Sequence, residues 1–195
     1  IIVFTDIPVS LVADNLYHSL DAYTLIAVPL FFVAGNMMSA GSLSTRLVDF
    51  VRSISGFMNG GLGISAVLAC GIFASITGSS TTALVAIGTI MFSAMVNSGY
   101  GKRFSIGILT TSGSLGILLP PSIPLIVYAF IASQSVGRMF LAGVLPGIFI
   151  VTLLAVYSYF FADEDAATRD KFELAHVVRT FRAGFWALLL PVIIL

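Results

Sequence analysis

Residues 69–92 read ACGIFASITGSSTTALVAIGTIMF and place a polar turn inside an otherwise apolar segment. The polar side chains are five hydroxyls within six positions, with Gly78 among them: Thr77, Ser79, Ser80, Thr81 and Thr82. The surrounding run 53–101 contains 49 residues without a charge or a histidine. A glycine and hydroxyl cluster in such a run predicts that a helix is interrupted between residues 77 and 81.

Composition explains why the segment is so apolar. The chain is 58% hydrophobic and 9% charged, whereas an ordinary globular domain is about 25% charged. Uncharged runs cover 22–45, 53–101, 104–137 and 139–162, and a bilayer-spanning helix needs about 20 mostly apolar residues. The sequence therefore predicts an all-α integral membrane protein in contact with the lipid bilayer. Its net charge of zero gives no support for nucleic-acid binding.

Charges and glycines divide the chain into segments. The expected order is a periplasmic segment and first span (1–41), an amphipathic arm helix (42–59), a hairpin (60–101), a broken helix (104–137), a second span (138–162), a cytoplasmic loop or arm (163–182) and the beginning of a second repeat (183–195). The chain begins without methionine and ends in an apolar segment, so we expect a fragment of a longer protein.

The arm is predicted from helical spacing. Its apolar positions are Leu43, Leu47, Phe50, Val51, Ile54 and Phe57, and its charged positions, on the other side, are Arg46, Asp49 and Arg52. Such a helix can lie in the membrane interface. A charged loop between two spans is the alternative.

The positive-inside rule orients the chain. It places eight Lys and Arg residues in the cytoplasm and only Arg138 outside. Both ends of the run 53–101 then lie on the cytoplasmic side, so the run forms either two full spans or a re-entrant hairpin. A first arm over residues 62–76 would reach roughly 22 Å, which is less than a hydrocarbon core of about 30 Å. This length favours a hairpin whose tip stops inside the membrane.

A second interruption is predicted in residues 113–128, GSLGILLPPSIPLIVY. Pro120 and Pro121 cannot donate backbone hydrogen bonds, so the helix should unwind over residues 118–122 and restart towards Tyr128. Two helices broken near mid-membrane indicate a transporter binding site. Close helix packing by small residues is the alternative explanation for Gly107, Gly113 and Gly116.

The chemistry of the two breaks favours sodium. Residues 53–101 and 104–137 contain no Asp, Glu or His that could carry a proton, whereas hydroxyls and freed carbonyls suit a monovalent cation. The candidate sodium ligands are Ser75, Gly78, Ser79, Ser80, Gly116, Leu119 and Ser122. The candidate substrate contacts are Thr77, Ser80, Thr81 and Pro121. No cofactor is expected besides sodium as the coupling ion.

Four segments together resemble a known family: IAVPLFFVAGNMMSAGSLSTRLVDF, GGLGISAVLACGIFASITGSSTTA, GYGKRFSIGILTTSGSLGILLPPSIPLIVYA and MFLAGVLPGI. They resemble, in order and across residues 25–146, the large membrane subunit of tripartite ATP-independent periplasmic (TRAP) transporters of the ion transporter superfamily.

The resemblance implies a fold and a mechanism. It implies two inverted repeats, each with a re-entrant hairpin and a broken helix, and an elevator motion driven by sodium. It also implies import of an organic acid across a bacterial or archaeal inner membrane, with a small membrane subunit and a periplasmic binding protein as partners. Residues 77–81 match the first hairpin tip, 116–122 the first broken helix, 42–58 the arm, and 139–161 a scaffold span that closes the first repeat.

Other functions fit the residues less well. A serine protease would need a base near Ser79, Ser80 or Ser114, but His18 and His176 lie outside the predicted spans. A phosphate-binding loop would need a lysine after the glycine-containing turn, and none follows. A channel or a structural membrane subunit remains the alternative to a coupled transporter.

Overall fold

The computed structural model describes residues 14, 17, 23–39, 42–162, 176–182, 184, 185 and 189. In these residues all regular structure is helical, as the composition predicted. The helices are α1 (Tyr23–Ser39), α2 (Leu43–Ser55), α3 (Gly61–Thr77), α4 (Ser80–Asn97), α5 (Lys102–Gly113), a 3₁₀ turn (Ser114–Ile117), α6 (Ile123–Ile131) and α7 (Val136–Phe161). Helices α4 and α7 are both long and apolar enough to cross a bilayer. More than half of the residues in each of three predicted segments, 1–41, 163–182 and 183–195, lie outside the described residues.

The arm forms the amphipathic helix α2. Leu47, Val48 and Val51 are buried and belong to the core that α3 also forms. Ile54 and Phe57, which the spacing placed on the apolar face, are each 41% exposed. The buried face of α2 is therefore rotated about the helix axis, away from Ile54 and towards Val48, relative to the predicted apolar face. The rotation follows from the direction in which α2 packs against α3.

Two buried hydroxyls join the arm to the hairpin. Ser55 Oγ lies 2.8 Å from Ser65 Oγ, and each hydroxyl also lies within hydrogen-bond distance of a carbonyl of its own helix turn, Val51 O for Ser55 and Gly61 O for Ser65. Hydroxyls buried between two apolar helices are tolerated because they are hydrogen-bonded. The contact fixes the end of α2 beside the beginning of α3.

Helices α3 and α4 form a helical hairpin with a shorter break than predicted. Only Gly78 and Ser79 separate them, because helix continues to Thr77 and resumes at Ser80. Gly78 adopts φ +64° and ends α3 by donating its N–H to Ala74 O at 2.8 Å. The 17 residues of α3 reach about 25 Å and the 18 residues of α4 about 27 Å. These lengths exceed the predicted 15-residue arm, so length favours a re-entrant tip less strongly, and re-entry remains a prediction.

The proline-broken helix is confirmed, but it unwinds earlier than the prolines alone predict. Helix α5 ends at Gly113 and tightens into the 3₁₀ turn, residues 118–122 are non-helical, and α6 begins at Ile123. Pro120 and Pro121 lie in the non-helical stretch and Pro124 lies in the first turn of α6, where a missing N–H has no cost.

Helix α7 packs against both broken elements. Added Cβ atoms at Gly143 and Gly147 would lie 2.6 Å from Leu118 O and from Leu119 Cδ2. At its other end, Ser158 Oγ donates to Gly60 O over 3.0 Å. The scaffold role of residues 138–162 remains a prediction. Because α7 packs closely on the hairpin and on the unwound segment, that role requires these elements to move relative to α7.

Candidate ion site at the two helix breaks

The structure brings the hairpin turn and the unwound segment into direct backbone contact. The N–H of Ile123 donates to Gly78 O at 3.3 Å. A Cβ added at Gly116 would lie 2.7 Å from the backbone N of Ser80, so only glycine allows this approach. Residues separated by about 40 positions in the chain are thus in contact, and it stays a prediction that this contact forms a binding site.

Gly78 is required at the turn for two reasons. Its φ of +64° lies in the left-handed region that favours glycine. A Cβ at this position would also lie 3.0 Å from Pro121 O. The turn and the proline segment can therefore approach this closely because Gly78 has no side chain.

Ser79 has a structural role that the sequence did not identify. Its backbone is extended and it is the N-cap of α4. Its Oγ accepts from the N–H of Thr82 at 3.5 Å and from Thr82 Oγ1 at 3.2 Å, and it lies 3.1 Å from Thr81 Oγ1. The motif Ser-Ser-Thr-Thr after a helix-ending glycine is the signal that would have predicted this cap.

Most of the remaining hydroxyl hydrogens point to helix carbonyls. Ser75 Oγ donates to Ile72 O and Ser122 Oγ to Ile117 O, both at 2.7 Å, and Thr77 Oγ1 donates to Phe73 O at 3.1 Å. A hydroxyl whose hydrogen is used in this way still has oxygen lone pairs to offer. Such oxygens coordinate a cation more readily than they bind an anion.

The predicted substrate residues are unequally accessible. Thr77 and Pro121 are fully buried, and a Cβ on Gly35 of α1 would lie 3.0 Å from Thr77 Cβ. Ser80 is half-buried and Thr81 is exposed. In this conformation only Ser80 and Thr81 are reachable, and the substrate assignment remains a prediction.

Helix ends supply the electrostatic character of the site. Helices α4 and α6 begin there, at Ser80 and Ile123, while α3 and the 3₁₀ turn end there, at Thr77 and Ile117. Helix N-termini carry partial positive charge and C-termini partial negative charge. The site therefore offers preorganised dipoles for an anion and a cation in adjoining positions, and residues 53–101 and 104–137 contain no Asp, Glu, His, Lys or Arg.

Two sets of contacts were not predicted from the sequence. Gly35 packs on the end of α3, and Gly143 and Gly147 pack on the unwound segment. The four-residue spacing of the α7 glycines is a recognisable packing signal, but it does not name the partner.

Comparison with known proteins agrees with the geometry. A family model described as "Tripartite ATP-independent periplasmic transporter, DctM component" matches residues 1–195. The chain is 40% identical over 196 residues to a C4-dicarboxylate TRAP transporter large permease protein of Pseudomonas aeruginosa, covering 100% of the chain and 46% of that protein. It is 36% identical to a protein of the same description from Rhodobacter capsulatus, covering 98% and 47%.

A further relative is the 2,3-diketo-L-gulonate TRAP transporter large permease protein of Escherichia coli, 32% identical over 96% of the chain and 44% of that protein. The chain thus spans about half the length of the curated relatives it matches. These relatives are described as transporter permease proteins and not as enzymes. The chain belongs to the DctM family, the large membrane permease component of tripartite ATP-independent periplasmic transporters.

Proposed function

We propose that this chain forms the first half of the transport unit of a secondary active transporter that imports a small organic acid together with sodium. The observation that carries the proposal is the backbone contact of the hairpin turn at Gly78 with the broken helix, at Gly116 in the 3₁₀ turn and at Pro121 in the unwound segment. Two interrupted helices that meet in a region without charged side chains can supply hydroxyl and backbone groups for binding.

Sodium is the coupling ion that this chemistry supports. The candidate ligands at the site are hydroxyl oxygens and backbone carbonyls, and two of the hydroxyls, those of Ser75 and Ser122, direct their hydrogens to backbone carbonyls. Proton coupling would be expected to use an intramembrane Asp, Glu or His, and residues 53–101 and 104–137 contain none. We assign Ser75, Gly78, Ser79, Ser80, Gly116, Leu119 and Ser122 as the candidate sodium ligands.

We infer the substrate class from the substrates that the descriptions of relatives name. Relatives of this chain are described as permeases for C4-dicarboxylates, isethionate, ectoine and 2,3-diketo-L-gulonate. Most of these molecules carry a carboxylate or sulfonate, which suits the paired N-termini of α4 and α6. The individual acid would be selected with the help of the other half of the protein.

The proposed setting is an elevator in the bacterial or archaeal inner membrane. The hairpin and the broken helix would move substrate and sodium together, and α2 would link them to a scaffold. A small membrane subunit and a periplasmic binding protein would complete the transporter, with the latter delivering the substrate.

Accumulation measurements test the proposal. The full-length permease and its small subunit are reconstituted in proteoliposomes with the binding protein outside, and uptake of radiolabelled succinate is measured. We expect an inward sodium gradient to raise internal succinate above the external concentration, and an imposed proton gradient without sodium to fail. Succinate that only equilibrates would indicate a channel, and equal accumulation with a proton gradient would contradict sodium coupling.

A further inference from the structure

A cleft beside the hairpin turn opens between α1, α2 and α4. Its volume is about 580 Å³, and its polar lining residues are Asn36, Ser44, Thr81, Thr82 and Thr89. Phe32 and Val85 are among its apolar lining residues. The cleft reaches the hairpin turn through Thr81 and Thr82, and none of its lining residues is charged.

The cleft continues along one face of α4. Thr81, Thr89, Ser93 and Asn97 are exposed polar residues at intervals of four or eight positions. Residues four apart lie on one side of a helix, so these side chains form one stripe, in which the exposed apolar residue Val85 lies between Thr81 and Thr89. It extends about 24 Å from the hairpin turn to the end of α4, the end that the positive-inside rule places at the cytoplasm.

Hydrogen-bond directions define what the stripe can bind. Thr89 Oγ1 donates to Val85 O at 2.9 Å and Ser93 Oγ donates to Thr89 O at 3.2 Å. Their hydrogens are therefore used within α4, and their lone pairs face outward. A surface of oxygen lone pairs without formal charge is suited to water and to a hydrated monovalent cation, and less suited to a carboxylate.

We propose that the cleft and the polar stripe of α4 are a water-filled route by which sodium passes between the hairpin turn and the cytoplasm. This inference rests on the proposed sodium coupling at the two helix breaks. It assigns a function to Thr89 and Ser93, which lie about 12 Å and 18 Å along α4 from Thr81 and so are too distant to be ligands at the turn.

Cysteine labelling tests whether the route contains water. Thr89→Cys and Ser93→Cys are placed in a full-length Cys70→Ala protein and exposed, in inverted membrane vesicles, to a membrane-impermeant trimethylammonium methanethiosulfonate. Leu145→Cys is the matched control, because Leu145 is 77% exposed on an apolar face of α7. Because thiolate forms readily only in water, we expect both α4 cysteines to react more than about tenfold faster than the control. Reaction of both at the control rate, with and without sodium, would overturn the proposal.

The charge of the adduct tests whether the route carries sodium. The same cysteines are modified with the cationic reagent or with a sulfonate reagent of similar size, and sodium-dependent succinate uptake is then measured. A fixed positive charge should lower the uptake rate about tenfold, and a fixed negative charge much less. Equal inhibition by both adducts, or no inhibition by either, would contradict a cation route. Rapid labelling in a protein whose uptake does not need sodium would instead refute the proposed coupling and leave the water-filled cleft in place.

Discussion

Replacing Gly116 by alanine should separate the two helix breaks. The added Cβ would lie 2.7 Å from the backbone N and 2.9 Å from the Cα of Ser80. Backbone at the beginning of a packed helix cannot rotate away as a side chain can, so the turn and the unwound segment must move apart. Overpacking of this kind costs about 1–3 kcal/mol.

The expected result of Gly116→Ala is weaker sodium binding, so that uptake requires a higher sodium concentration. If the whole cost falls on the sodium-binding arrangement, the half-saturating sodium concentration rises roughly 5- to 150-fold, at about 1.4 kcal/mol per tenfold change. The assay is a sodium titration of succinate uptake in proteoliposomes, with thermal unfolding measured at low and high sodium. A ligand that binds only the folded protein raises its melting temperature, so the variant should show a smaller sodium-dependent rise.

Gly107→Ala is the matched control for this experiment. Among the described residues, nothing lies within 4 Å of a Cβ added at Gly107, and alanine is favoured over glycine in a helix by about 1 kcal/mol. This variant should keep wild-type sodium dependence and lose no stability. Identical sodium titrations and melting curves for the two alanine variants would refute the reasoning that the close approach at Gly116 shapes the site.

Three further predictions concern the arm, α7 and the topology. Phe50→Asp should impair transport while leaving binding by the soluble partner unchanged, because Phe50 is half-buried against the core and its ring centroid lies 5.6 Å from that of Phe181; full transport would show that packing of the arm at Phe50 is not needed for transport. Ser158→Ala should lower the free energy of unfolding by about 0.5–1.5 kcal/mol, since it removes one of the two donors to buried Gly60 O and leaves the N–H of Ile64; an unchanged melting temperature would contradict this. Cysteines at positions 58 and 79 should differ in labelling, with position 58 reactive only from the cytoplasm and position 79 reactive from outside in one transport state, and periplasmic reactivity of position 58 would refute the hairpin topology.

The positions of the helix breaks could be predicted from local sequence, but their contacts could not. Gly78 and the two prolines interrupt helices through their own backbone geometry, so the sequence predicted a break around Gly78, although over a longer stretch than the structure has, and a break over residues 118–122. The role of Ser79 as a cap was missed because its hydroxyl was interpreted as an ion ligand; the bonds from Thr82 show the cap, and the ligand assignment stays a prediction. The packing of α7 on the unwound segment joins residues about 25 positions apart, and no periodicity within one helix identifies such a partner.

The arm illustrates the same limit. Helical spacing predicted α2 correctly, yet it could not show that Val48 is buried and that Ile54 is exposed. Which side of an amphipathic helix is covered depends on the direction from which its neighbour packs. Here the buried hydroxyl pair of Ser55 and Ser65 fixes that direction.

Direct measurement of sodium binding to Ser79 variants tests the central claim, that neutral oxygens at the two helix breaks bind the coupling ion. Equilibrium binding of radioactive sodium is measured on the purified full-length protein for wild type, Ser79→Ala and Ser79→Thr. Both wild type and Ser79→Thr keep a hydroxyl oxygen, and both should bind sodium similarly. Loss of one ligand oxygen in Ser79→Ala should cost about 1–3 kcal/mol, or a roughly 5- to 150-fold weaker affinity at that site. Sodium binding by Ser79→Ala with wild-type affinity and stoichiometry would contradict the account.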